Sequence, residues 1–151
     1  MDTSIKEKIV RHLEAELSSK IAEIRGAIDA ARESRDNETK SSVGDKYETG
    51  RAMVQMEIEK NQAQLAKTEN LLKTVKMIDL KKEYRKIEFG SFVMTNKGNY
   101  FISIAFGEVK LKGESIFCLS PLSPIGKELS GKMAGDKIVF QNREIEIKQV
   151  F

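Results

Sequence analysis

The chain has 151 residues, 40% of them hydrophobic, so it can bury a modest core as one compact domain or two small ones. Its 26 Lys and Arg nearly balance 23 Asp and Glu, and a net charge of +3 argues against a protein held to polyanions by bulk charge. One cysteine, Cys118, and one histidine, His12, exclude an intramolecular disulfide and a Cys/His zinc cluster.

No apolar run approaches the roughly 18 residues that a membrane span needs, and the start MDTSIKEKIV lacks the apolar core of a signal peptide. A cytoplasmic protein without membrane contact is the expectation. Composition changes near residue 80. Beyond it lie nine of the ten aromatics, seven of the ten glycines and both prolines. Residues 1–80 have a net charge of −1 and residues 81–151 a net charge of +4. Two domains are expected with that boundary, 1–80 and 81–151.

The first segment has no proline and is rich in Glu, Lys, Ala, Leu and Ile, which favours helix. Ile5, Ile9, Leu13, Leu17, Ile21, Ile24, Ile28 and Ala31 advance in helical steps of three or four. After residue 34 a polar run containing Gly44 and Gly50 predicts a turn. Val54, Ile58, Asn61, Leu65, Thr68, Leu72 and Val75 then form a second seam at heptad spacing, and Met53 and Met56 are expected to help fill it. Two long helices around one turn predict an antiparallel coiled-coil hairpin whose seam closes within one chain, hence a monomer. Some 30 residues per helix give an arm about 45 Å long.

The second segment changes period. Five short β-branched or aromatic runs start at Phe89, Asn99, Ser115, Lys137 and Glu144, with Gly and Asn between them. Ser123 followed by Pro124 and an apolar residue four positions on predicts one short capped helix. The expected class is α+β, with a small antiparallel sheet carrying that helix.

Chemistry-bearing residues gather at the hairpin turn, 44–50. Asp45 and Glu48 are three apart, which puts two carboxylates on one helical face, close enough to share a Mg²⁺ through oxygen ligands and water. The same pattern caps helix starts and complements their dipole. Tyr47, the only aromatic before residue 80, either stacks on a base or partner or covers the turn. Lys46 and Arg51 flank the pair as candidate phosphate contacts or as solvated surface. His12 has no triad partners in sequence, and Cys118 lies in an apolar strand pattern. Gly131–Asp136 leads into a strand and lacks the spacing of a phosphate loop.

Ser120-Pro121-Leu122-Ser123-Pro124-Ile125-Gly126-Lys127-Glu128-Leu129-Ser130-Gly131-Lys132-Met133-Ala134-Gly135-Asp136 resembles the docking motif of the bacterial Gre transcript-cleavage factors. That motif runs Ser-Pro-Ile/Leu, a short helix ending in Leu-x-Gly-Lys, then Gly-Asp and a strand. The closing Glu144–Val150 run is similar to the family's last strand, and Gly44-Asp45-x-x-Glu48 is similar to its acidic tip. Thr49 stands where the family commonly has Asn, and Leu122 where it has an acidic or amide residue.

The resemblance implies a coiled-coil finger followed by an FKBP-like domain, and a factor that binds RNA polymerase in its secondary channel. There Asp45 and Glu48 position a Mg²⁺ shared with polymerase, which cleaves backtracked nascent RNA near its 3′ end. The factor is then not itself an enzyme, and it meets the RNA only indirectly. Ser123 and Pro124 fall in the docking loop, with Lys46, Tyr47 and Arg51 as further partner contacts. A regulator that occupies the channel without cleaving is the alternative.

Overall fold

Helix α1 spans Thr3–Ser41 and α2 spans Asp45–Lys76. The computed structural model describes the backbone of residues 3–41 and 45–151 and the side chains of residues 4–37 and 48–151. Compact packing divides the chain into Glu14–Lys73 and a second unit of Met1–Leu13 with Thr74–Phe151. The first turns of α1 therefore pack with the later residues, and residues 14–73 make the arm.

Within the arm the helices run antiparallel. Arg25 Nη2 meets Glu69 Oε1 at 3.0 Å, and Arg35 Nη1 donates to Gln55 Oε1 at 2.9 Å. Ile24, Ile28, Ala31 and Ile58 form a buried cluster, with Val54 and Leu65 packed against it. Thr68 is buried in the same seam and satisfies its hydroxyl by donating to Gln64 O at 2.8 Å. The expected seam is present, but two expectations fail.

First, α1 runs to Ser41 rather than stopping near residue 34. The run from Glu33 has neither Gly nor Pro before Gly44, and Arg35 is tied across to Gln55, so charge alone does not break the helix. Residues 42–44 lie outside the described residues. Second, Met53 and Met56 are 66% and 68% exposed and do not fill the seam. Val54 and Ile58 take the inward stripe, and a stripe of that width leaves 53 and 56 on the flank.

The other unit is a six-stranded sheet: β1 (Phe92–Thr95), β2 (Gly98–Ile102), β3 (Gly107–Leu111), β4 (Glu114–Leu119), β5 (Lys137–Phe140) and β6 (Arg143–Val150). Strand order is β3-β4-β2-β1-β6-β5. All pairs are antiparallel except β2 with β4, where Tyr100 lies beside Phe117. The β3–β4 hairpin folds back so that β4, not β3, joins β2, which makes that pair parallel. Its turn residues Lys112 and Gly113 have φ of 50° and 82°, and Gln141 and Asn142 turn β5 into β6 at 52° and 63°. Both are the left-handed turns that match strand twist.

Strand alternation gives the sheet two apolar faces. On one, Val93, Ile102, Ile145 and Ile147 join Leu129 of helix α3 (Pro124–Leu129) in a buried cluster. On the other, Phe92 lies 6.5 Å from Phe101 and stacks on Phe151 at 5.0 Å. α1 supplies His12, edge-on to Phe106 at 6.3 Å, and Lys6, whose ammonium donates to Phe151 O at 3.4 Å.

Lys6 is only 1% exposed and sits 4.4 Å from the centre of the Tyr84 ring. Burial pulls its pKa from the ordinary 10.5 down to about 8, against the opposing pull of Asp79. Below pH 8 both folded and unfolded chains carry this charge, and the cost of burying it is complete. Between 8 and 10.5 the folded chain gives up its proton first, so stability rises with pH. The phenols of Tyr84 and Tyr100, pushed above 10.0 chiefly by burial, oppose this only at higher pH. Urea unfolding at pH 7.5 and 9.5 should show a net gain of roughly 1 kcal/mol, Lys6 contributing about 2 at about 1.4 kcal/mol per unit and the Cys118 thiol, pushed by burial from 9.0 up to about 12, taking back about 1. Lys6→Met should flatten that rise, and an equally steep rise in the variant would assign it elsewhere.

Candidate functional site

α2 begins at Asp45, so positions 45 and 48 fall in its first turn and share one helical face by their spacing. Glu48 and Thr49 are exposed, as is Arg51. The side chains of Asp45, Lys46 and Tyr47 lie outside the described residues. Asp45 is the first helical residue, so the pair occupies first and fourth positions rather than the N-cap and third. Among the described side chains no group of three or more His, Cys, Asp or Glu is placed to share a metal.

The motif around α3 is built as a locked turn. Ser123 is the N-cap, extended at φ −66° and ψ 159°. Its hydroxyl donates to Ser120 O at 2.7 Å and accepts from Gly126 N–H at 3.1 Å. Ser120 Oγ in turn accepts the Leu122 N–H at 3.1 Å. Pro124 holds the first helical position, where its missing N–H costs nothing. Gly126 is required because a Cβ there would stand 2.3 Å from Ser120 O and 2.8 Å from Ser123 Oγ. Gly131 and Gly135, at φ 79° and 95°, turn the chain from α3 into β5.

These contacts give Ser123 and Gly126 structural reasons to be what they are. What the turn leaves for a partner is Leu122, 77% exposed, together with exposed Pro124. The sequence marks Leu122 only as a departure from the Gre motif and not as a contact. The available signal was an apolar residue held between Pro121 and a capping serine, where the turn has no inward face to offer it.

The tip residues belong to the arm unit, and Ser123 and Pro124 to the sheet unit. Burial pushes the Cys118 thiol up to about 12, against its hydrogen bond with Ser103, so no thiolate is available near neutral pH. His12 is half-buried against Phe106 and joins no candidate site.

Comparison with protein-family models gives no match, and comparison with curated proteins gives none either. Among solved structures, the chain is similar to one described as the structure of the transcription factor Gfh1. Identity is 20%, over 91% of this chain and 92% of that one, with a TM-score of 0.38. A likeness at that score carries no functional inference, and the function has to be read from the residues of this chain. No helix among the described residues is long and apolar enough to cross a membrane.

Proposed function

We propose that the chain is a Gre-like transcription factor that binds RNA polymerase in its secondary channel and stimulates cleavage of backtracked nascent RNA. The observation that carries this reading is the arm: two paired helices with Asp45 and Glu48 in one turn at the end where they connect. The locked turn at Ser120–Gly126 supports it, because the residues that resemble the family's docking motif fold into a rigid feature with Leu122 and Pro124 exposed.

Carboxylate oxygens suit Mg²⁺, which prefers hard donors and octahedral geometry. Asp45 and Glu48 supply two of about six ligand positions, so they complete a site furnished mainly by a partner. Asp45 and Glu48 would help to hold the ion, which would supply polarisation of a phosphoryl oxygen and a lowered pKa for bound water. The two side chains contribute negative charge and orientation. Lys46 and Arg51 can hold phosphate oxygens, and Tyr47 can stack on the base at the RNA 3′ end. The chain acts as an activator of polymerase rather than as a hydrolase.

Co-sedimentation with purified RNA polymerase tests the docking half of this reading. The intact chain should bind, and Leu122→Lys, which puts a charge foreign to the family's motif in place of the exposed leucine, should weaken binding about 10-fold, roughly 1.4 kcal/mol. Its melting temperature should hold, since surface changes of this kind stay within about 0.5 kcal/mol. Equal binding by the variant would remove Leu122 from the interface, and absence of binding by the wild-type chain would end the reading. Binding without RNA shortening would favour the non-cleaving channel occupant.

A further inference from the structure

Lys81-Lys82-Glu83-Tyr84-Arg85-Lys86 holds four cations and one acid, and neither the acidic tip nor the docking turn involves them. Of these six residues only Tyr84 is buried, 8% exposed, with its ring set against Gly90 so closely that a Cβ there would come 2.3 Å from the phenol oxygen. The next residue, Ile87, is 1% exposed. Its N–H donates to Lys132 O and its carbonyl accepts from Gly131 N–H, both at 2.8 Å, and Lys86 pairs with Met133 in an isolated antiparallel bridge. Tyr84 and Ile87 thus pin the ribbon, and the bridge brings Lys132 alongside Lys86 from 46 positions away.

Three neighbouring acids outside the ribbon are engaged, and the ribbon's own acid, Glu83, is exposed. Glu88 takes the Lys82 ammonium in a short contact, Asp79 accepts the Lys81 N–H at 2.9 Å, and Asp136 accepts the Met133 N–H at 2.8 Å. Among the described residues no ion pair holds Lys81, Arg85, Lys86 or Lys132, and all four are exposed. Four cations outside any ion pair, against the single ribbon acid Glu83, are therefore presented by a backbone that is already ordered, so a partner need only fix their side-chain rotamers.

We infer that this ribbon binds the phosphate backbone of nucleic acid. Lysine is depleted at the centres of protein–protein interfaces, which are anchored by exposed aromatics and Arg. Here three of the four free cations are Lys, the ribbon's only aromatic is buried, and Met133, 50% exposed, is a single apolar neighbour. Phosphate contacts ask for point charges and no apolar anchor. The modest net charge of the chain does not oppose this, because the surplus is local. The surface stands on the sheet unit alone and does not depend on the polymerase reading.

Fluorescence anisotropy of the intact chain with a labelled random-sequence DNA duplex, titrated across KCl concentrations, tests it. Binding should weaken with salt at a slope near −3.6, about 0.9 per phosphate neutralised. Changing Lys81, Arg85, Lys86 and Lys132 together to Gln should cost at least about 10-fold at low salt and flatten the slope by about 3.6. Lys110→Gln with Lys148→Gln, exposed cations elsewhere in the unit, should leave both unchanged. If the fourfold variant melts early, Lys86→Gln with Lys132→Gln should still flatten the slope by about 2. No binding at low salt, an unaltered slope in these variants, or an equal loss in the control would overturn the proposal. So would polyglutamate competing better than unlabelled duplex, which would point to an acidic protein instead.

Discussion

Asp45→Ala combined with Glu48→Ala should reduce RNA shortening in backtracked polymerase complexes by about 100-fold or more, a barrier change of roughly 2.7 kcal/mol. On the proposed reading a Mg²⁺ shared with polymerase would lose two of its oxygen ligands and be left to those of the partner and to water. Polymerase binding should survive, because the exposed residues of the docking turn, Leu122 and Pro124, are untouched. So should folding. Acids in a first helical turn complement the dipole by about 0.3–1 kcal/mol each, which a melt can register without loss of the native state. Asp45→Asn with Glu48→Gln keeps side-chain volume and should be similarly inactive. Activity retained in either variant would leave complementing the helix dipole as the only role of the pair.

Gly126→Ala should strongly destabilise the sheet unit. The new Cβ would lie 2.3 Å from Ser120 O, 2.8 Å from Ser123 Oγ and 3.0 Å from Pro121 Cα. Two of those atoms are backbone, so relief requires moving the turn and parting the bonds that cap α3. α3 carries Leu129, fully buried in the cluster beneath it, so the disturbance reaches the core. A loss of about 3 kcal/mol is expected, a cap plus overpacking. Ser123→Ala removes the cap without a clash and should cost only about 1 kcal/mol. Denaturant unfolding distinguishes the two; equal losses would mean that the turn yields easily at Gly126.

Elements with strong periodicity were legible in the sequence. The α1 seam from Ile9 to Ala31 is buried as spaced, and the Ser123–Pro124 pair starts a helix where its chemistry says. β3 was not foreseen because only Val109 of its five residues is buried, so it lacks an alternating apolar signal. The parallel β2–β4 pair was not foreseen either. Pairing partners depend on where the Lys112-Gly113 hairpin folds back, which is a tertiary choice. Polar residues 34–41 read as a turn because composition was taken for conformation, whereas Glu, Arg and Lys are good helix formers when a partner helix anchors them.

The candidate site was legible only in part. Asp45 and Glu48 stand out by spacing, yet spacing alone fits capping as well as metal binding, and the metal role is implied by the resemblance to Gre factors. Leu122 and the ribbon 81–86 with Lys132 depend on which side chains a folded turn or bridge leaves uncovered. Exposure of that kind has no period to read.

The most direct measurement is the length of nascent RNA in a purified, backtracked elongation complex to which the intact chain is added. The RNA should shorten from its 3′ end when polymerase, Mg²⁺ and the chain are all present, and stay intact when any one is omitted. RNA of unchanged length at a chain concentration that saturates polymerase would contradict the cleavage role.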